Sequence, residues 1–212
     1  MLQIDTSNLQ RVLCLGAHCD DIEIGAGATI LRLLRQRPEL EVTWVVFSGN
    51  EIRRAEAKHA AESFLGGCAK RAITLHAFRD AYFPSQIEVI KPEFEKLKSF
   101  QPQLILTHTS KDSHQDHRTV NELTWNTFRS HTILEYEITK FEGDLGRPQV
   151  YAQVEKELVD QKIKFLMDCF PTQTARQWYD EETFRGLMRI RGIECNSPTK
   201  YAEAFYCRKM LI

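Results

Sequence analysis

Three stretches of near-continuous apolar character constrain the fold most: Val12-Leu13-Cys14-Leu15, Val42-Thr43-Trp44-Val45-Val46-Phe47 and Leu104-Ile105-Leu106. A strand is apolar at successive positions only where both faces of its sheet are covered. Helix-length segments lie between these runs. Over 50–65, Ala57, Ala60, Ala61, Phe64 and Leu65 recur at three and four, and Gly66-Gly67 supplies the stop. Pro38 closes a helix over 25–36, and Lys91-Pro92 marks the start of, or a kink in, a helix over 85–99. Strands are thus predicted at 11–16, 41–48, 72–76 and 103–108, alternating with helices at 25–36, 50–65, 85–99 and 115–129. The alternation is that of an α/β fold: a Rossmann-like, doubly wound, mainly parallel sheet with helices on both faces. Beyond residue 130 the pattern predicts a strand at 132–137, a turn over 142–148, helices over 153–169 and 180–190, and a strand at 203–207.

At 212 residues the chain reads as one domain, 1–212, in which 130–212 is a C-terminal extension that completes a site or makes an oligomer contact. Lys plus Arg (28) and Asp plus Glu (29) nearly cancel, which argues against a nucleic-acid partner. No apolar run approaches the roughly 20 residues of a membrane span. The first residues, MLQIDTSNLQR, lack the basic and apolar zones of a secretion signal. Six cysteines are scattered without a Cys-x-x-Cys pair, and Cys14 lies in a predicted buried strand. Reduced thiols and a cytoplasmic location are the expectation.

Two of the apolar runs end in clusters of histidine and carboxylate, Ala17-His18-Cys19-Asp20-Asp21-Ile22-Glu23 and Asp112-Ser113-His114-Gln115-Asp116-His117. Open α/β sheets bind ligands outside the carboxyl ends of their strands, so the two clusters are expected to build one divalent-metal site. Catalytic zinc takes three protein ligands and leaves a position open. His18 and Asp21 supply two, and the second loop supplies the third. There His114 and His117, three apart, project from one side of a helix start. Asp20 suits a general base, and the histidine that is not a ligand suits an oxyanion partner.

Plainer readings exist for each residue. His18 and Asp21 could pair to stabilise a turn, His117 could be a partly buried histidine, and His114 an exposed one. Asp116 could serve the helix dipole. Arg53 and Arg54 could be helix-surface charges. His59, His76 and His131 lie outside the clusters and read as structural or exposed. A dinucleotide site is excluded, since Gly16, Gly25 and Gly27 do not form Gly-x-Gly-x-x-Gly and two carboxylates would repel a pyrophosphate. No Gly-x-Ser-x-Gly elbow of a serine hydrolase occurs.

The segment from Gly16 to Gly27, taken with His114-Gln115-Asp116-His117, resembles the LmbE-like (PIG-L) family of de-N-acetylases. That family carries Ala-His-Pro-Asp-Asp in the first loop and His-x-Asp-His in the second. The resemblance extends to Arg53-x-x-Glu56 with Ala60-Ala61 and Leu65-Gly66, to Phe78-Arg79-Asp80, to Asp112, and to Ala202-Glu203-Ala204-Phe205. It implies zinc on His18, Asp21 and His117, although iron(II) or cobalt(II) suits the same donors. It further implies Asp20 as general base, His114 as partner of the tetrahedral intermediate, and Asp116 as a group that orients a histidine. Arg53 and Glu23 are candidates for substrate contact, with holding the loop the other role open to Glu23, and Tyr82, Phe83, Trp178 and Tyr179 could stack on a sugar or equally fill the core.

The activity implied is removal of an N-acetyl group from an N-acetylglucosamine-type amino sugar or glycoconjugate. Such a substrate would be nucleotide- or carrier-linked, within polysaccharide or glycoconjugate biosynthesis, and the resemblance also implies a homo-oligomer. Cys19 stands where the family has proline; packing is the expected role, ahead of metal ligation or oxidation. Two rival readings are a metal-dependent amidase or esterase for another acyl substrate and a sugar-binding protein without catalysis.

Overall fold

The computed structural model describes residues 3–211. Seven strands form one sheet: β1 (Arg11–Gly16), β2 (Glu41–Ser48), β3 (Lys70–Phe78), β4 (Leu104–His108), β5 (Thr132–Tyr136), β6 (Val150–Val154) and β7 (Tyr201–Tyr206). Their order is β3-β2-β1-β4-β5-β7-β6. β1 to β5 run parallel, while β7 pairs antiparallel with both β5 and β6. The helices are α1 (Asp21–Gln36), α2 (Glu51–Phe64), α3 (Ile87–Leu97), α4 (Gln115–Thr127), α5 (Lys156–Cys169) and α6 (Glu181–Glu194).

The apolar runs are continuous because successive side chains enter different cores. Val12, Cys14, Val42, Trp44, Val46, Leu104 and Leu106 face α1, α2, α5 and α6. Leu13, Leu15, Val45, Phe47 and Ile105 face the other way, onto Ile90 and Phe94 of α3 and Val120 and Leu123 of α4. Helices therefore cover both faces, as expected.

Three differences from the sequence expectation have physical causes. α1 starts at Asp21 rather than residue 25, with Ile24 N–H donating to Asp20 O and the acids Asp21 and Glu23 in its first turn. Its glycines are contacts rather than breaks: a Cβ on Gly25 would lie 2.2 Å from Tyr136 Cδ2. β6, absent from the expected strands, is a five-residue outer strand separated from α5 by Glu155 alone, so its last residues fall within the helix expected from 153. Pro92 falls inside α3, which follows a 3₁₀ turn over Phe83–Gln86.

Residues after 130 lock onto the first helix. Lys162 Nζ, from α5, donates to Ile24 O at 2.5 Å and lies 2.7 Å from Glu203 Oε1 of β7. Glu203 accepts from Ala28 N–H and Thr29 N–H at 2.9 and 2.7 Å. Arg191 of α6 grips Glu137 through two contacts, at 2.6 and 2.8 Å. Among the described residues, no helix is long and apolar enough to cross a membrane.

Candidate metal centre and active site

β1 and β4 are neighbours, and the chain leaves them toward opposite sides of the sheet, so the loops that follow part at a topological switch point. Both polar clusters sit there. His18 Nδ1 and His117 Nε2 are 3.0 Å apart, and Asp21 places Oδ2 3.4 Å from the first and Oδ1 3.4 Å from the second. Ligands 2.0–2.1 Å from a tetrahedral ion are about 3.3–3.4 Å from one another, and the two nitrogens, each 3.4 Å from a different oxygen of Asp21, come near that spacing; His18, His114 and His117, and Asp21, His108 and His117, also bring donor atoms together.

Each histidine has a carboxylate beside its second nitrogen. His117 Nδ1–H donates to Asp112 Oδ2 at 2.8 Å, which leaves the Nε2 lone pair for an ion. Burial, reinforced by neighbouring His108, pushes the pKa of His117 down to about 3, so the ring is neutral near pH 7. His18 Nε2 lies 2.9 Å from Asp80 Oδ1 and 3.4 Å from Asp116 Oδ2. Burial opposes its charge, but Asp21, Asp116 and Asp80 outweigh that and raise its pKa well above the usual value. Burial likewise disfavours the Asp21 carboxylate, yet His117, His108 and His18 hold its pKa well below the ordinary range.

Asp20 and His114 border this centre. Asp20 is buried, and its Oδ2 is 3.0 Å from Arg53 Nη2. Burial raises its pKa against the pull of Arg53, the direction that suits a base working near neutrality. His114 caps α4: its Nδ1 accepts from Asp116 N–H at 3.2 Å. That contact puts the ring proton on Nε2, the free corner. Burial, with His18 beside it, lowers its pKa, so His114 is a neutral donor. Its ring centroid lies 4.7 Å from that of His18 and 4.8 Å from that of His117.

Other expected residues stand differently. Asp116 Oδ2 lies 3.4 Å from His18 Nε2, and its carboxylate accepts from Ala81 N–H and Phe83 N–H at 2.7 and 3.0 Å and so anchors the loop that carries Asp80. Asp112 is the carboxylate behind His117. Arg53 is turned inward, committed to Asp20, to Glu56 at 2.5 Å and to Thr172 at 3.2 Å. Glu23 is fully buried with no hydrogen-bond partner at either carboxylate oxygen, and burial raises its pKa well above normal. Cys19 is a packing residue: its Sγ–H donates to Ser48 O at 3.2 Å and burial pushes the thiol up to about 12. Gly49 makes room for it, since a Cβ there would lie 2.5 Å from Sγ. Phe83 and Tyr179 fill the core, while Tyr82 is exposed beneath the guanidinium of Arg79.

His108 was absent from the expected site. It is fully buried at the end of β4, with Nε2 3.1 Å from Asp21 Oδ2 and its ring stacked on His117 at 3.9 Å. Its signal was legible as the polar last residue of the run Leu104-Ile105-Leu106-Thr107-His108. Lys140, 3.1 Å from Asp112, had no such signal, because it comes from a loop far along the chain.

The fold matches N,N'-diacetylchitobiose deacetylase from Pyrococcus horikoshii with a TM-score of 0.75 at 22% identity, covering 95% of this chain and 85% of that one. GalB, the 4-carboxy-2-hydroxymuconate hydratase of Pseudomonas putida KT2440, matches at 0.77 and 17% identity, with 96% and 98% covered. The A40926 pseudoaglycone deacetylase Dbv21 matches at 0.71 and 16% identity, with 93% and 96% covered. These likenesses establish the architecture, and a hydratase among them shows that architecture alone does not set the reaction. The sequence itself matches the family described as GlcNAc-PI de-N-acetylase over residues 13–128, which takes in both clusters, and the chain therefore belongs to the PIG-L (LmbE-like) deacetylase family.

Proposed function

We propose that the protein is a zinc-dependent de-N-acetylase acting on an N-acetylglucosamine-type amino sugar, free or within a nucleotide- or carrier-linked glycoconjugate. The convergence of His18 Nδ1, Asp21 and His117 Nε2 within 3.0–3.4 Å carries this reading. A divalent ion held by these donors would supply a Lewis acid for the amide carbonyl and would acidify a water. Asp20, steadied by Arg53, takes the proton of the attacking water. His114, with its proton fixed on Nε2, donates to the oxyanion as the carbonyl becomes tetrahedral. The proton on Asp20 then passes to the departing amine, so that acetate and a free amino sugar leave. Arg53 serves here by holding Asp20, and Asp116 by anchoring the Asp80 loop. The deacetylases among the similar folds are named for N,N'-diacetylchitobiose and the A40926 pseudoaglycone, and the first of these supports a sugar substrate.

The test is acetate release by zinc-loaded protein from free, nucleotide-linked and lipid-linked N-acetylhexosamines, before and after chelation. Release from one class that is lost on chelation and restored by metal is expected. The Asp20→Asn protein should keep its zinc and lose about 10²–10⁴-fold in rate, the usual worth of a proton-transfer group. Full activity in that variant would remove Asp20 from the mechanism. Zinc uptake without acyl release from any sugar, joined to sugar binding, would favour a non-catalytic role.

A further inference from the structure

β5 ends at Tyr136, and the chain then runs back past the second cluster toward Gly146. Within this stretch Lys140 is turned inward, its side chain only 9% exposed. Its Nζ lies 3.1 Å from Asp112 Oδ1 and donates to Asp144 Oδ1 and Oδ2 at 2.9 and 2.7 Å. Asp112 turns its other oxygen to His117 Nδ1–H at 2.8 Å. The same Oδ1 of Asp112 accepts from His114 N–H at 2.8 Å, and Asp144 Oδ2 accepts from Ser113 N–H at 2.6 Å. One ammonium therefore joins two carboxylates, and those carboxylates hold the backbone and side chain of the cluster that carries His114 and His117. Confining a long cationic side chain in a desolvated place is costly unless it is paired, and here it is paired twice.

We infer that Lys140 is a positioning residue for the metal ligand His117. It fixes the carboxylate plane of Asp112, which sets the direction of the His117 Nδ1–H bond and so aims Nε2 at the centre. Residues beyond the matched stretch 13–128 thereby enter the metal site. The inference rests on the metal centre proposed above. Although burial opposes it, Asp144 and Asp112 keep the Lys140 pKa above its usual value, so the tie persists at neutral pH. The competing account is a staple that only stiffens the loop.

The full chain carrying Lys140→Met, which keeps the stem and removes the charge, is compared with Lys140→Arg and the parent. Zinc affinity is read by competition with a chelating dye, and the ring tautomer of His117 in the metal-free protein by nitrogen NMR. Lys140→Met should bind zinc about 10–100-fold more weakly, as is usual when a ligand loses its outer support. Its His117 should show both neutral tautomers where the parent shows one, and Lys140→Arg should restore most of both properties. Unchanged zinc affinity and a single tautomer in Lys140→Met, even with lower thermal stability, would overturn the inference in favour of the staple. If that variant does not fold, Lys140→Gln is read in the same way. A parent protein that takes up no zinc overturns the metal centre instead, and the tautomer signal keeps that failure separate from failure of the Lys140 assignment.

Discussion

His114 and His117 stand three residues apart at one helix start, and the second nitrogen of each ring separates their roles. His117 gives its Nδ1–H to Asp112 and has Nε2 free as a lone pair; His114 takes a backbone N–H on Nδ1 and has Nε2 free as a donor. His117→Ala should therefore abolish zinc binding, whereas His114→Ala should keep about one zinc per chain and lose about 10²–10³ in rate, the worth of one oxyanion donor. Metal content measured beside acetate release distinguishes the two. Equal zinc loss in both variants would defeat the division of labour. Spacing in the sequence put both rings on one side but not Asp112 behind His117, because the direction of a side chain at a helix start depends on backbone turns that spacing does not encode. Cys19 was legible as a departure from the family and illegible as to consequence until Ser48 and Gly49 were seen around it. With five of the six cysteines buried, a bulky thiol reagent should label Cys207 first in the native protein. Mass spectrometry showing early modification of Cys19 would mean that the loop opens.

At the scale of elements, α1 is the part on which the site depends and the part whose start the sequence placed least well. It carries Asp21 at its first position, and it is buried on nearly every side, so the polar stripe that reveals an ordinary helix is missing. Its support comes from far along the chain, through Lys162 and Glu203, which hold Ile24 O, Ala28 N–H and Thr29 N–H. Glu203→Ala should destabilise the protein by about 3–5 kcal/mol, because it strands a buried ammonium. Denaturant unfolding measures this directly, and a loss below 1 kcal/mol would mean that Lys162 finds water once Glu203 is gone. β1, β2 and β4 were readable because burial on both sheet faces leaves a continuous apolar signature. β6 was not: like β3 it is an outer strand, but it is only five residues long and only Glu155 separates it from α5.

For the whole molecule, the order β3-β2-β1-β4-β5 brings together two loops nearly a hundred residues apart, and β6 and β7 then extend the sheet antiparallel. The family match ends at residue 128, whereas the likeness to the chitobiose deacetylase spans 95% of the chain. The residues between those two limits supply Lys140, Lys162 and Glu203, which act on the half that holds the clusters, and Arg191, which ties α6 to Glu137. Two apolar cores, one on each face of the sheet, hold the elements together, unlike a small domain that folds only around its metal. The metal-free protein should accordingly stay folded, and zinc should add stability only through binding. At a free zinc concentration 100 times its dissociation constant the gain is about 2.7 kcal/mol. In a chain of this size that corresponds to a rise in Tm of about 5–10 °C. Calorimetry of chelated and reloaded protein measures the rise, and His117→Ala should show none of it. An unfolded chelated protein would mean that the ion organises the fold itself, and a rise that survives in His117→Ala would place the stabilising ion elsewhere.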